Sequence, residues 1–173
     1  MNIAFRRKRE GKTDYKKRLR LLASGKPRLV VRKTNKNVIV QLVQFNPESD
    51  KIVVSAHTNR LKKYGWKGAN RNIPASYLTG LLCGLKAKKA DVKEAVFDSG
   101  LHLMVKGSVI YAALKGALDA GLDIPHSKEV FPSEAALAGK HIESNKVTKF
   151  TKFNPGEITK NFEEVKNKIM SEA

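Results

Sequence analysis

The sequence is poor in cysteine and contains no long apolar run. Its single cysteine, Cys83, has no partner for an internal disulfide and lies among leucines. We therefore expect a buried, inert thiol in a reducing, intracellular setting. No apolar stretch approaches the length of a membrane span, and no hydrophobic segment follows the charged N-terminus. Neither a membrane location nor a secretory signal is expected, which favours the cytosol.

The residue groupings typical of metal or phosphate chemistry are missing as well. The four histidines are widely spaced, with no His-x-His or Cys-x-x-Cys partner, whereas a metal site needs several ligands that converge. Gly11, Lys12 and Thr13 resemble the end of a phosphate-binding loop, but Arg6 stands where its first glycine is required. We expect no metal and no cofactor.

Positive charge is what the sequence has in excess. The 173 residues include 34 Lys and Arg against 16 Asp and Glu, which gives a formal net charge of +18. Residues 1–36 hold 14 of the cations with 2 acids, and residues 60–72 hold 5 cations with no acid. Such concentrated charge attracts polyanions, because binding releases their counterions.

A hairpin is predicted at the centre of this basic region. Residues 28–34 and 37–45 are rich in β-branched residues, and the polar corner Asn35-Lys36 joins them. Period-two alternation places Arg28 and Arg32 together on one face of the first strand. A sheet face that carries arginines requires anionic partners or water.

The rest of the chain predicts an α/β fold: a mixed sheet of three antiparallel strands and one parallel strand, with packed helices. A third strand is expected at 51–57, and a short strand at 94–98 that returns in parallel after a crossover helix. Helices are expected from Pro74 to about Ala90, from 109 to 120 behind a Ser108 cap, near Ser133, and at the C-terminus. We divide the chain into a basic arm (1–27), a core domain (28–142) and a C-terminal extension (143–173).

The arm and the loop 60–72 are the candidate binding segments. In the arm, Tyr15, Leu19 and Leu22 fall on one helical stripe surrounded by cations, and we expect disorder without a partner. Basic tails can also be solvated charge or targeting signals. In the loop, Tyr64 and Trp66 beside lysines suit stacking on unpaired bases, although a lone tryptophan more often packs in a core.

A nuclease of the ribonuclease H topology has the same order of strands and helices. Such enzymes hold two divalent metals with several carboxylates, one of them on the first strand. Here the first strand offers Arg28, Arg32 and Lys33 instead, and Asp98 with Asp91 or Glu94 are the nearest acids. Because cations on that strand repel metals, the enzyme hypothesis fails on charge.

Five segments in order resemble the archaeal form of large-subunit ribosomal protein L-eighteen: residues 28–36 (RLVVRKTNK), 64–68 (YGWKG), 74–82 (PASYLTGLL), 113–121 (ALKGALDAG) and 124–127 (IPHS). The resemblance implies a non-catalytic α/β protein that binds 5S rRNA in the central protuberance of the large subunit. It also implies contacts with large-subunit rRNA and with a neighbouring 5S-binding ribosomal protein.

Carried onto this sequence, the resemblance and the charge pattern together give one set of candidate RNA-binding residues. The arm contributes Arg6, Arg7, Lys8, Arg9, Lys12, Tyr15, Lys16, Lys17, Arg18, Arg20 and Lys26. The hairpin contributes Arg28, Arg32, Lys33, Asn35 and Lys36, and the loop contributes Lys62, Lys63, Tyr64, Trp66, Lys67 and Arg71. Lys146, Lys149 and Lys152 are further candidates. The competing hypothesis is a general polyanion binder, acting on DNA or an acidic membrane face.

Overall fold

The computed structural model describes residues 3–144 and 154–172. Their strands form one mixed sheet, in the spatial order β3-β2-β1-β4. β1 (Arg28–Lys33), β2 (Val38–Gln44) and β3 (Lys51–His57) are antiparallel neighbours, and β4 (Val96–Asp98) runs parallel to β1. The prediction of three antiparallel strands and one parallel strand is confirmed.

The hairpin between β1 and β2 has the predicted corner. The backbone N–H of Thr34 donates to the carbonyl of Asn37 at 2.8 Å, so Asn35 and Lys36 form its tip. In the register, Arg28 lies opposite Val43 and Arg32 lies opposite Ile39. The two arginines therefore share one face of the sheet, as the alternation predicted.

The helices pack mainly on the other face of the sheet, where Leu29 and Val31 are fully buried. Two short helices occupy the N-terminal arm, α1 (Arg6–Arg9) and α2 (Tyr15–Leu22). The remaining helices are α3 (Ile73–Lys89), α4 (Val109–Asp119), α5 (Glu134–Ala138), α6 (Lys140–Glu143) and α7 (Ile158–Ser171). Short 3₁₀ turns cover Thr58–Tyr64, Lys128–Val130 and Pro155–Glu157.

Two glycines bring α3 and α4 into close contact. A Cβ atom at Gly80 would lie 1.9 Å from the carbonyl oxygen of Ala113, and one at Gly116 would lie 2.1 Å from that of Tyr77. No side chain fits at either position, so the helices touch backbone to backbone. The side of α4 that carries Gly116 therefore faces α3.

Side chains cap the starts of two of the predicted helices. The side chain of Asn72 accepts a hydrogen bond from the N–H of Ala75 at 2.9 Å, and Ser133 does the same for Ala136. Ser108 stands at the N-cap position of α4, but its hydroxyl makes no capping bond. The capping role assigned to Ser108 is therefore wrong.

The terminal helix α7 joins the core through one apolar stripe. Ile158, Phe162, Val165 and Ile169 are all buried, and the rings of Phe162 and Tyr77 lie 5.6 Å apart. Since α7 packs on α3, this helix adds to the hydrophobic core. None of the helices within 3–144 and 154–172 is both long and apolar enough to cross a bilayer.

Candidate nucleic-acid interface

The basic arm forms helices that lie on the open face of the sheet. Asp14 caps α2 by accepting from the backbone N–H of Lys17 at 3.1 Å. Leu19, predicted to lie on the packed stripe, is 71% exposed. The side that meets the sheet instead carries Lys17, Arg18 and Leu21. The predicted stripe and the expected disorder are therefore corrected, whereas the helix itself lies where the sequence predicted one.

Polar contacts fasten α2 to the rest of the chain. The ammonium of Lys17 donates to the hydroxyl of Ser99 and the carbonyl of Gly100, each at 3.0 Å. The guanidinium of Arg18 donates to Asp50 at 3.0 Å. Two adjacent cations of the arm thus reach two different loops, one after β4 and one before β3.

Arg28 is buried, and both of its terminal nitrogens bond to carboxylates of the protein itself. Its two terminal nitrogens donate to Asp50 at 2.6 Å and to Asp98 at 2.9 Å, and only 4% of the residue is exposed. The sequence makes Arg28 a candidate RNA-binding residue, but in the structure the protein's own carboxylates occupy its terminal donors. Asp50 and Asp98 are the anionic partners that a buried arginine on a sheet requires.

Arg32 occupies an intermediate position. Its guanidinium donates to the backbone carbonyl of Asp98 at 2.8 Å and to the carboxylate of Asp98 at 3.1 Å, while 38% of its side chain remains exposed. Burial by itself would raise the pKa of Asp98, but Arg32, the N–H of Gly100 and Arg28 together hold that pKa below its ordinary value. Asp98 is therefore a structural carboxylate. Two arginines contact it, whereas a nuclease of the ribonuclease H topology would need metal ions there.

A cleft of about 360 Å³ lies between α2 and the arginine-bearing face. Six cationic side chains and three acidic ones border it, which leaves a net positive lining. The cations are Arg7, Lys12, Lys17, Arg18, Arg28 and Arg32, and the acids are Asp14, Asp50 and Asp98. This places arm and sheet on one continuous cationic surface.

The hairpin tip and the basic loop also come together. Arg71 reaches the carbonyl of Asn35 at 3.5 Å, and the amide of Asn70 donates to the side chain of Asn37 at 3.1 Å. Asn35, Lys36 and Arg71 are exposed. The sequence placed these segments in separate candidate regions, whereas the fold joins them at one edge.

Lys33 links this edge to the loop after β4. Its backbone N–H donates to the ring nitrogen Nε2 of His102 at 3.2 Å. Burial, together with Lys33 and Arg32, lowers the pKa of His102. A neutral ring is what this contact requires, because a protonated nitrogen has no lone pair to accept the bond.

Trp66 belongs to the core. Only 4% of it is exposed, its indole N–H donates to the carbonyl of Ala69 at 3.2 Å, and Gly68 lies flat against its ring. The alternative that Trp66 stacks on RNA is therefore wrong. Tyr64 is half-buried near Ile169, and burial, with a hydrogen bond to Glu172, raises the pKa of Tyr64.

The candidate residues divide by exposure, and most of them reach the surface. Exposed are Arg6, Arg7, Lys8, Arg9, Lys12, Lys16, Arg20, Lys26, Asn35, Lys36, Lys62, Lys63, Lys67 and Arg71. Half-buried are Tyr15, Lys17, Arg18, Arg32, Lys33 and Tyr64, and buried are Arg28 and Trp66. Lys146, Lys149 and Lys152 lie outside the described residues.

Two side chains that shape this surface, Asp50 and Asn161, are not among the residues predicted from the sequence. Asp50 joins the arm to the sheet, and nothing in the turn that contains it pointed to this role. Asn161 on α7 accepts from the N–H of Lys67 at 3.0 Å and donates to the carbonyl of Gly65 at 2.9 Å, which holds the basic loop in place. A polar residue between Ile158 and Phe162 on a buried stripe was the available signal.

The described part of the chain contains no cluster of three His, Cys, Asp or Glu side chains suited to a metal ion. Exposed cations on the arm, at the hairpin tip and in the loop are the chemistry that the surface does offer. Such groups form charge-assisted hydrogen bonds with phosphate oxygens. The surface therefore fits a polyanionic ligand.

Comparison with known proteins gives consistent matches over most of the chain. The family model described as "Ribosomal large subunit proteins 60S L5, and 50S L18" matches residues 1–94 and 85–127. The Large ribosomal subunit protein uL18 of Methanococcus maripaludis is 48% identical, covering 98% of this chain and 95% of its own. The protein of the same name from Korarchaeum cryptofilum is 54% identical, covering 82% of this chain and 73% of its own.

Proposed function

Because the chain belongs to the uL18 family of large-ribosomal-subunit proteins, we propose that it binds 5S rRNA and helps to attach it to large-subunit rRNA in the central protuberance. The protein is a non-catalytic constituent of the cytoplasmic ribosome's large subunit, as its relatives are. The proposal adds which RNA it holds and through which surface. A neighbouring 5S-binding ribosomal protein completes the proposed assembly.

One observation supports the proposal most directly: the arm carries exposed cations that no acid of the described chain neutralises. Arg7, Lys8, Arg9, Lys16 and Arg20 are exposed and form no ion pair within residues 3–144 and 154–172. By contrast, Arg6 and Lys12 contact Glu10, and Lys26 contacts Glu94. The five unpaired cations are the proposed phosphate ligands.

The second proposed contact is the edge where the hairpin tip meets the basic loop. Lys36 and Arg71 supply cations there, and Asn70 and Arg71 bond to the hairpin. Lys62, Lys63 and Lys67 add exposed cations along the same loop, which Asn161 holds through the N–H of Lys67. Double-stranded RNA hides its base edges in a deep groove, so a protein recognises it mainly by shape and backbone path. A rigid cationic edge suits that mode, and loops or bulges of the RNA supply sequence-dependent contacts.

Competition binding at physiological salt tests the proposal. Labelled 5S rRNA is bound to the protein and displaced with unlabelled 5S rRNA, with unrelated RNA of equal length, or with duplex DNA. We expect 5S rRNA to compete at least tenfold better than the others, since specific contacts add to the shared electrostatic attraction. Equal competition by all three would instead identify a general polyanion binder.

A further inference from the structure

Five charged side chains alternate in sign from the arm to the far side of β1. Asp50 receives hydrogen bonds from Arg18 at 3.0 Å and from Arg28 at 2.6 Å. Asp98 receives them from Arg28 at 2.9 Å and from Arg32 at 3.1 Å. Asp50 is the only acid of this series that contacts the arm; Asp98 bonds within the sheet and to the N–H of Gly100.

We propose that Asp50 is a positioning residue for RNA binding, which holds α2 on the sheet so that the unpaired arm cations meet RNA from a fixed helix. This inference rests on the proposed function, because it concerns the same RNA surface. Asp50 itself touches no RNA in this account. It acts through Arg18 on one side and is held in place by the buried Arg28 on the other.

The weakness of the apolar contacts gives Asp50 this importance. No residue of α2 is buried: Leu21 and Leu22 are only half-buried, and Leu19 is 71% exposed. Docking of α2 therefore depends mainly on polar contacts, and those are the Arg18–Asp50 pair and the bonds of Lys17 to neutral groups. Charge-assisted hydrogen bonds between partly buried groups are stronger than neutral ones.

The proposed role of Asp50 predicts a change in RNA affinity opposite in sign to the change expected from net charge alone. Removing an acid from an RNA-binding protein ordinarily strengthens RNA binding, because the protein becomes more positive. Loss of Asp50 releases α2, and RNA must then order the arm again when it binds. We therefore expect Asp50→Asn to weaken binding to 5S rRNA, by about tenfold for a cost of about 1.4 kcal/mol.

Glu48 offers a matched control in the same turn. Its side chain is exposed and forms no ion pair among the residues that the structure describes, so Glu48→Gln changes the net charge equally. We expect Glu48→Gln to bind 5S rRNA as tightly as the unaltered protein or slightly more tightly. The inference is supported if Asp50→Asn binds 5S rRNA more weakly than the unaltered protein while Glu48→Gln does not. It is overturned if Asp50→Asn binds as tightly as the unaltered protein or more tightly.

Hydrogen exchange of the α2 backbone amides tests the same inference in the full-length protein without RNA. We expect faster exchange in Asp50→Asn and in Arg18→Gln, and no change in Arg20→Gln, because Arg20 is exposed and forms no ion pair in the described residues. Arg18→Gln leaves the Arg28–Asp50 pair intact, so the test survives if Asp50→Asn fails to fold.

The two measurements separate the inference from the function on which it rests. Unchanged exchange of α2 in both variants refutes the docking role of Asp50, whatever RNA the protein binds. Faster exchange with no preference of the unaltered protein for 5S rRNA keeps the docking role and refutes the proposed function. Faster exchange with unchanged 5S rRNA affinity shows docking without a role in binding, which also overturns the inference.

Discussion

Neutralising the five unpaired cations of the arm should change how RNA binding depends on salt. In the proposed variant Arg7, Lys8, Arg9, Lys16 and Arg20 are replaced by Gln, while Lys17 and Arg18 continue to dock α2. Each phosphate contact contributes about 0.9 to the slope of log K against log salt for a duplex and about 0.7 for a single strand. Loss of five contacts should therefore lower the slope by roughly 4.

The measurement is the affinity for 5S rRNA, followed by fluorescence anisotropy across a series of potassium chloride concentrations. A control variant removes five other exposed lysines that lie outside the arm, the hairpin tip and the basic loop: Lys88, Lys93, Lys128, Lys140 and Lys160. It has the same net charge as the arm variant. We expect its slope to stay close to that of the unaltered protein.

Two results would refute the argument. If the arm variant lost less than about one unit of slope, the five replaced residues would make no more than a single phosphate contact. If the control variant lost as much slope as the arm variant, binding would depend on total charge, with no dedicated surface. Melting temperatures of both variants, measured without RNA, establish that the fold is intact.

Three further predictions concern stability without RNA, measured by urea unfolding. Gly80→Ala should lower the free energy of unfolding by about 3 kcal/mol or more, because the new Cβ meets a backbone carbonyl. Ser76→Ala in the same helix removes a buried hydroxyl that has no partner, so it should leave that free energy unchanged or raise it. Equal losses in the two variants would contradict the close contact. Arg28→Met should lower the free energy of unfolding by about 3 kcal/mol, because it removes one of the two arginines that contact each of Asp50 and Asp98. Arg32→Met should lower it by about 1 kcal/mol, because Arg32 is more exposed, and the reverse order would refute this. Since the pKa of Asp98 is lowered by folding, its ionisation stabilises the protein above the ordinary aspartate pKa of about 3.9, and this contribution should disappear as the pH falls below that value. The stability difference from Asp98→Asn should shrink over the same acidic range, and a constant difference would rule the contribution out.

The sequence predicted the parts of the fold that depend on local patterns. Alternation in residues 28–34 gave the strand and its two faces, and the Asn72-Ile-Pro74 start gave the beginning of α3. The parallel placement of β4 followed from the strand–helix–strand order, since such a crossover returns in the same direction. These features depend on residues within a few positions of one another, so one sequence suffices to find them.

Long-range pairing was what the sequence could not reveal. The alternation showed that Arg28 and Arg32 share a face, but only the fold brings Asp50 and Asp98 to them across 22 and 70 positions. For the same reason the sequence favoured a core position for Trp66 but left stacking on a base open, and only the structure shows Gly68 and Ala69 enclosing it. Which side chains pair depends on their distance in the folded protein, and the periodicity of the sequence carries no information about that distance.

The enclosed indole has a practical consequence for spectroscopy. Trp66 is the single tryptophan of the chain, and the protein shields it from water almost completely. Its fluorescence should accordingly report whether the core is intact, with emission that shifts to longer wavelength when the chain unfolds. Addition of RNA should leave that emission nearly constant, so one optical signal can monitor folding throughout a titration with RNA.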